Sequence, residues 1–252
     1  MWKLDASLHV PHWRPLLPDP AAVLAFSTRR GGVSAAPFES LNLGRSTADD
    51  PAHVAENRAR FLAAAGASLE RLATAGQVHG ARMVEVTAPG HQPECDGLLT
   101  TVPGLPLAVT TADCMSLLFT APGGVAAVHA GWRGTAEGMP AGALAALCTR
   151  TATAAAACVV HIGPCIRGCC YEVGPEVAAR FPAVALRRVG NGVRLDLPTA
   201  AREALRAAGV PDASIHDTGA CTACEPHWYF SHRRDAGRTG RMWGMAMRNV
   251  TD

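Results

Sequence analysis

A single α/β domain with a mixed sheet flanked by helices is the fold this sequence predicts, and three observations carry the prediction. Apolar runs of strand length alternate with segments whose apolar residues recur at helical spacing. Between residues 95 and 130 several such runs follow one another without room for a helix, which rules out a clean β-α-β series. The chain has 252 residues, 48% of them hydrophobic and 17% charged. That is enough apolar material for a large core and too little charge for a disordered chain.

Each element has its own signal. "VLAFSTRRGGVS" predicts a buried strand over 23–28 running into a Gly31–Gly32 turn. "DDPAHVAENRARFLAAAG" predicts a helix with Asp50 as cap, Pro51 in the first turn and Gly66 just past the end, burying Val54, Phe61 and Leu62. "RMVEVT", "LPLAVTT", "SLLFTA", "GVAAVHA" and "CVVHIG" read as strands. Leu144, Leu147 and Cys148 mark one face of a helix after Pro140. A last helix begins near Pro198, with Ala201, Leu205 and Ala208 on one face and Gly209 as its stop. The alanine- and threonine-rich stretch 149–157 reads as a helix tail or surface loop. No internal repeat or linker divides the chain, so residues 1–252 are expected to form one domain.

Net charge is +2, and the 23 Lys and Arg are scattered singly. No electrostatic footprint for nucleic acid or an anionic membrane is present. No run reaches the roughly 18 apolar residues of a membrane span, and the N-terminus lacks the apolar core of a signal peptide. A cytoplasmic protein acting on a small molecule is the expectation, and the sequence sets no oligomeric state. The nine cysteines are then read as thiols, and their odd number leaves at least one unpaired within the chain.

Three residues stand out as chemistry. His79 lies beside Gly80 before a strand, Cys114 follows "LPLAVTTAD", and His129 closes "GVAAVHA" ahead of Gly131. No local metal motif joins them, and taken singly each has a structural reading as a core histidine or a small apolar thiol. They converge only if their strands are neighbours. Convergence would make either a catalytic zinc site with an open fourth position or a Cys114–His129 nucleophile and base.

The remaining thiols have weaker patterns. "CTAC" at 221–224 has C-x-x-C spacing, but no second C-x-x-C exists and the adjacent pair Cys169–Cys170 is wrongly spaced for one. Half a four-ligand site is not a site, so Cys224→Ser is expected to leave metal content unchanged. Of Cys165, Cys169 and Cys170, two are expected to be inertly buried. For anionic substrate groups the candidates are Arg29 at the glycine turn, Arg133 in "HAGWRG", and the loop "HRRDAGRTGR".

"TRRGGVS", "SLNLG", "QVHG", "DGLLTTVPGLPLAVTTADC", "VHAGWRG", "IGPCI", "CYEVG" and "SHRRDAGRTGR", in this order, resemble the bacterial YfiH-like family, also called the laccase-domain or multicopper polyphenol oxidase family and now described as purine nucleoside phosphorylases. The resemblance covers about residues 24–248. It implies an α/β sandwich related to a cysteine-hydrolase toxin domain and a metal site of His79, Cys114 and His129. Zinc is the metal it implies, with copper as the other metal claimed for the family. It also implies phosphorolysis of adenosine, inosine and methylthioadenosine, with deamination of adenosine. The candidate contacts for nucleoside and phosphate are Arg29, Asn42 of "SLNLG", Asp113 and Arg133, Asp113 serving to orient a ligand. Family members linked to peptidoglycan editing make a Cys114–His129 amidase on a muramyl precursor the alternative. A copper phenol oxidase ranks last, because multicopper oxidation needs several coppers and far more histidines than three. Two departures stand out: Ser116 replaces the usual proline after the cysteine, and His232 replaces the tyrosine before the paired arginines.

Overall fold

The computed structural model describes residues 1–17 and 19–250, and two mixed sheets stacked face to face form its centre. One sheet has seven strands in the order β1 (Trp2–Asp5), β2 (His12–Pro15), β3 (Ala22–Ser27), β16 (Met242–Arg248), β8 (Leu107–Thr111), β4 (Ala73–Gly76) and β6 (Gly90–Pro93). The second has six: β15 (Ile215–Asp217), β11 (Val159–Ile162), β9 (Met115–Ala121), β10 (Gly124–Ala130), β7 (Gly97–Thr100) and β5 (Met83–Glu85). Parallel pairs β4–β8, β4–β6, β5–β7 and β11–β15 sit among antiparallel ones, so both sheets are mixed. A small outlying sheet joins β12 (Glu172–Val173), β14 (Gly192–Leu195) and β13 (Leu186–Val189).

Strand periodicity explains the layers. Along β9, Met115, Leu117, Phe119 and Ala121 point to one face while Leu118 points to the other, because side chains alternate with a period of two. Leu118, Val125 and Ala127 of one sheet meet Leu24, Phe26, Leu107 and Val109 of the other in a dry inter-sheet core. The outer face of the six-stranded sheet is covered by α3 (Met139–Thr151) and α5 (Leu197–Ala207), through Leu144, Leu147, Ala201 and Leu205. The outer face of the seven-stranded sheet is covered by α1 (Pro51–Ala64), whose Phe61 and Leu62 pack on Trp243 and Met245. Each buried leucine or phenylalanine contributes about 1.5–3 kcal/mol relative to an exposed one. The result is a four-layer sandwich, helix–sheet–sheet–helix. Two short helices complete the set, α2 (Trp132–Ala136) and α4 (Pro175–Ala178).

The helix punctuation holds. The Asp50 side chain accepts from the Ala52 N–H at 2.8 Å, Pro51 opens α1, and Gly66 adopts a left-handed φ of 74° just beyond it. Asp196 caps α5 in the same way through Thr199. Cys148 differs from expectation: it is only half-buried, at the edge of the α3 face, 3.6 Å from Cys158. Of the three thiols in "CIRGCC", only Cys165 is buried, Cys170 is half-buried and Cys169 exposed. That corrects the expectation of two inert ones, because a turn after β11 carries Cys169 and Cys170 outward.

Candidate active site

His79, Cys114 and His129 meet at one point, with a ligand atom from each lying within 4.8 Å of the others. Register delivers two of them. β9 and β10 are antiparallel neighbours with Ala130 opposite Met115, so Cys114, one residue before β9, lies beside the end of β10. His79 arrives differently from the expected neighbouring strand. It follows β4 of the other sheet, so the site lies where the two sheets adjoin. The two imidazoles stand edge to face, 5.0 Å between centroids at 85°. Gly131 keeps the space open: a Cβ there would lie 3.1 Å from Cys114 Sγ and 3.4 Å from the His79 ring.

One residue that the sequence reading passed over organises both histidines. Asp96, fully buried, accepts from His129 Nδ1 at 2.8 Å and from the His79 backbone N–H at 2.9 Å with one carboxylate oxygen. Its other oxygen accepts from Gly80 N–H at 2.8 Å and Val78 N–H at 3.2 Å. These bonds hold His79 in a left-handed conformation, φ 64°, that a histidine rarely adopts unaided. The signal was present in "ECDGLL", an acid set directly before a wholly buried strand.

The electrostatics favour a charged cluster. Burial opposes ionisation of Cys114, but the charge and hydrogen bond of His129, with those of His79, outweigh it and lower the thiol to about 6. Burial likewise opposes the charged form of His129, but the Cys114 thiolate and Asp96 raise it to about 9. Burial would also push Asp96 up, yet the His129 bond and the Gly80 and Val78 N–H groups hold it below the usual carboxylate range. A ready thiolate, with one ring nitrogen of His129 already tied to Asp96, is a donor set suited to zinc. It is equally a nucleophile, base and orienting acid in sequence.

The cluster opens into a cavity of about 510 Å³, a size that suits a small-molecule ligand. Asp113 lies in its wall as expected, but its carboxylate is engaged by protein: Thr222 Oγ1 donates at 2.6 Å and the Arg233 N–H at 2.7 Å. Its role is to clamp the surrounding loops.

The other expected substrate contacts are not brought to the cavity. The Arg29 guanidinium donates to the Glu39 carbonyl at 2.8 Å and the Pro226 carbonyl at 3.1 Å, and lies over the Phe230 ring, bracing a loop. Asn42 is fully buried and bonded to Thr47, Asp49, Gly44 and Arg241. Arg133 stacks on Trp132. The basic side chains in the cavity wall are Arg45, Arg58, Arg233 and Arg241, with His91 and His232. Arg58 is itself buried and bonded to the Leu43 carbonyl. Of the predicted basic loop, Arg233 and Arg241 thus reach the cavity, while Arg234 pairs with Asp235. Ser116 lies at the sheet interface with its hydroxyl unpartnered, and His232 stands at the cavity mouth where the departure from the usual tyrosine changes its polarity.

Comparison with known proteins gives the chain's family. The family described as multi-copper polyphenol oxidoreductase laccase matches residues 23–249. The chain belongs to this family. A curated relative from Deinococcus radiodurans, named purine nucleoside phosphorylase, is 44% identical over 242 residues, covering 92% of each chain. The Escherichia coli member named purine nucleoside phosphorylase YfiH is 39% identical, over 94% of this chain and 97% of its own. Among solved structures, YlmD of Geobacillus stearothermophilus superposes with a TM-score of 0.93 at 37% identity, covering 99% of both chains. A Neisseria meningitidis member superposes at 0.83 with 30% identity. The two curated relatives are thus both named as purine nucleoside phosphorylases. Among the described residues no helix is long and apolar enough to cross a membrane.

The structure also corrects one expectation about the other thiols. Cys221 and Cys224 of "CTAC" are not alone: Cys169 and Cys170 join them, all four sulfurs within 4.8 Å of one another. The adjacent pair is wrongly spaced for a C-x-x-C but not for a site assembled from two loops.

Proposed function

We propose that this laccase-family chain is a metal-dependent purine nucleoside phosphorylase that also deaminates adenosine. The observation that carries the reading is the convergence of His79, Cys114 and His129 in the wall of a cavity with basic walls. The names of relatives that match over nine-tenths of the chain support it.

The two imidazoles and the thiolate would hold one zinc ion, with copper the other candidate. Bound there, such an ion supplies a Lewis acid beside the substrate. Everything else falls to the chain. Arg241 and Arg233 line the cavity with one Nη1 each held, by the Thr239 and Gly240 carbonyls and by the Glu172 carbonyl. With the exposed Arg45 they grip phosphate through their remaining N–H groups; a guanidinium does so with paired hydrogen bonds. Tyr171, half-buried in the same wall with the Arg233 guanidinium 5.1 Å from its ring centroid, offers its phenol and the ring face away from Arg233 to the nucleoside. Asp113 keeps the Thr222 and Arg233 loops in register, so that the phosphate site and the ligand cluster keep their spacing. In phosphorolysis the bond from C1′ of the ribose to the base breaks as a bond from C1′ to a phosphate oxygen forms. Inosine, adenosine and methylthioadenosine all present that bond.

A second reading has its own observation. Cys114, His129 and Asp96 form the sequence of nucleophile, base and orienting acid used by cysteine hydrolases, which favours an amidase on a muramyl precursor. One experiment separates the two. Protein of known metal content is incubated with inosine and phosphate, and in parallel with a muramyl-serine nucleotide. Hypoxanthine and ribose 1-phosphate, lost in Cys114→Ala, are the expected products. Release of serine alone, without turnover of inosine, would overturn the phosphorylase reading in favour of the amidase.

A further inference from the structure

Cys169, Cys170, Cys221 and Cys224 form a second cluster, whose Cys221 is next in the chain to Thr222, which donates to Asp113. All nine cysteines are free thiols. Cys169 Sγ lies 3.4 Å from Cys221 Sγ and 3.5 Å from Cys224 Sγ, and Cys170 Sγ lies 3.2 Å from Cys224 Sγ. A disulfide requires about 2.05 Å, so none of these pairs is bonded. Four sulfurs at the corners of a tetrahedron around zinc, each about 2.3 Å from the ion, stand about 3.8 Å apart. The cluster has that size before any ion enters it.

We propose that these four cysteines bind one zinc ion as a closed tetrathiolate site. The two loops that supply them are already locked together. Cys165 and Cys221 form a parallel bridge in which the Thr222 N–H donates to the Cys165 carbonyl at 3.1 Å. Arg194 donates to the Cys169 carbonyl at 2.6 Å, placing a positive group beside a site whose four thiolates exceed the ion's charge by two. Four protein ligands leave no open position, so the ion is structural and not catalytic. What it would fasten is the cavity wall. The first loop carries Ile166 and Tyr171, which line the cavity, and the second carries Thr222, which holds Asp113. Zinc at this point ties both to one another independently of any ion at His79, Cys114 and His129.

The test removes the first site to isolate the second. A His79→Ala/Cys114→Ala double variant, purified under reducing conditions, is expected to retain one zinc per chain by elemental analysis. A mercurial thiol reagent should release that zinc as four thiolates are titrated. Replacing zinc by cobalt should give the intense visible bands and thiolate-to-metal charge transfer of a tetrahedral tetrathiolate. Adding Cys169→Ser and Cys224→Ser should abolish all three signals. The inference is overturned if the double variant holds no zinc, if its zinc survives the added serines, if iron and inorganic sulfide are found instead, or if alkylation without reductant shows these cysteines paired as disulfides. None of these outcomes depends on which substrate the enzyme turns over.

Discussion

Asp96→Asn is the most direct test of how the candidate active site is held. The carboxylate is fully buried and accepts four hydrogen bonds, two on each oxygen. An asparagine keeps one acceptor oxygen and turns the other position into a donor. That NH2 must then face either the Val78 and Gly80 N–H groups or the His79 N–H and His129 Nδ1. In either orientation two donors lose their partner, and the negative charge opposite His129 is gone. A charge-assisted hydrogen bond contributes about 1.5–3 kcal/mol, and breaking a buried charged pair from one side costs about 3–5 kcal/mol. We expect the variant to lose about 3–5 kcal/mol, read as a drop in Tm of about 6–20 °C for a chain of this size. Metal affinity should fall about ten- to a hundredfold, because His129 loses the partner that fixes its ring. Thermal melts of metal-free protein and competition against a chromophoric chelator measure the two effects. Stability within about 0.5 kcal/mol of wild type, together with unchanged metal affinity, would refute the argument that Asp96 organises the site.

Three further outcomes follow from the same structure. In metal-free protein the lowered Cys114 thiol contributes stability that is complete above its unfolded value of 9.0 and is lost as pH falls through about 6; the raised His129 contributes stability that is complete below 6.5 and is lost as pH rises through about 9. The urea midpoint difference between wild type and Cys114→Ser should therefore peak between about pH 6 and 9, and a difference that is flat from acid to alkali would contradict the ion pair. Gly131→Ala places a Cβ 3.1 Å from Cys114 Sγ without straining the backbone, whose φ is −74°, so metal affinity should drop while the unfolding midpoint moves little. Equal affinity in the chelator competition would show that the thiolate yields freely. Arg241→Lys should raise the KM for phosphate about ten- to a hundredfold by losing the paired hydrogen bonds, whereas Arg29→Lys should leave it unchanged. The reverse pattern in phosphate titrations would return the phosphate site to the Gly31–Gly32 turn.

The sequence alone determined the elements and the family. Asp50, Pro51 and Gly66 bracket α1 because capping and left-handed φ are properties of a few neighbouring residues. The apolar runs of β8, β9 and β10 announce buried strands for an equally local reason. His79, Cys114 and His129 were legible as candidates, since each borders an apolar run: His79 precedes one, Cys114 follows one and His129 closes one. Which strands lie side by side was decided only by packing. Register puts Cys114 beside the end of β10, and stacking of the two sheets brings His79 to them from the other layer. Arg29, Asn42 and Arg133 looked like ligand contacts because a polar residue in a glycine-rich loop carries no mark of its direction. Tertiary structure turned the first toward loop carbonyls, buried the second and stacked the third on Trp132. Asp96 carries no mark of its hydrogen-bond partners in the sequence, and the four cysteines read there as half a site, for the complementary reason. Hydrogen bonds and ligand sets are short in space but unconstrained in sequence, and Cys169 is a hydrogen-bond length from Cys221 only after β11 and β15 have paired.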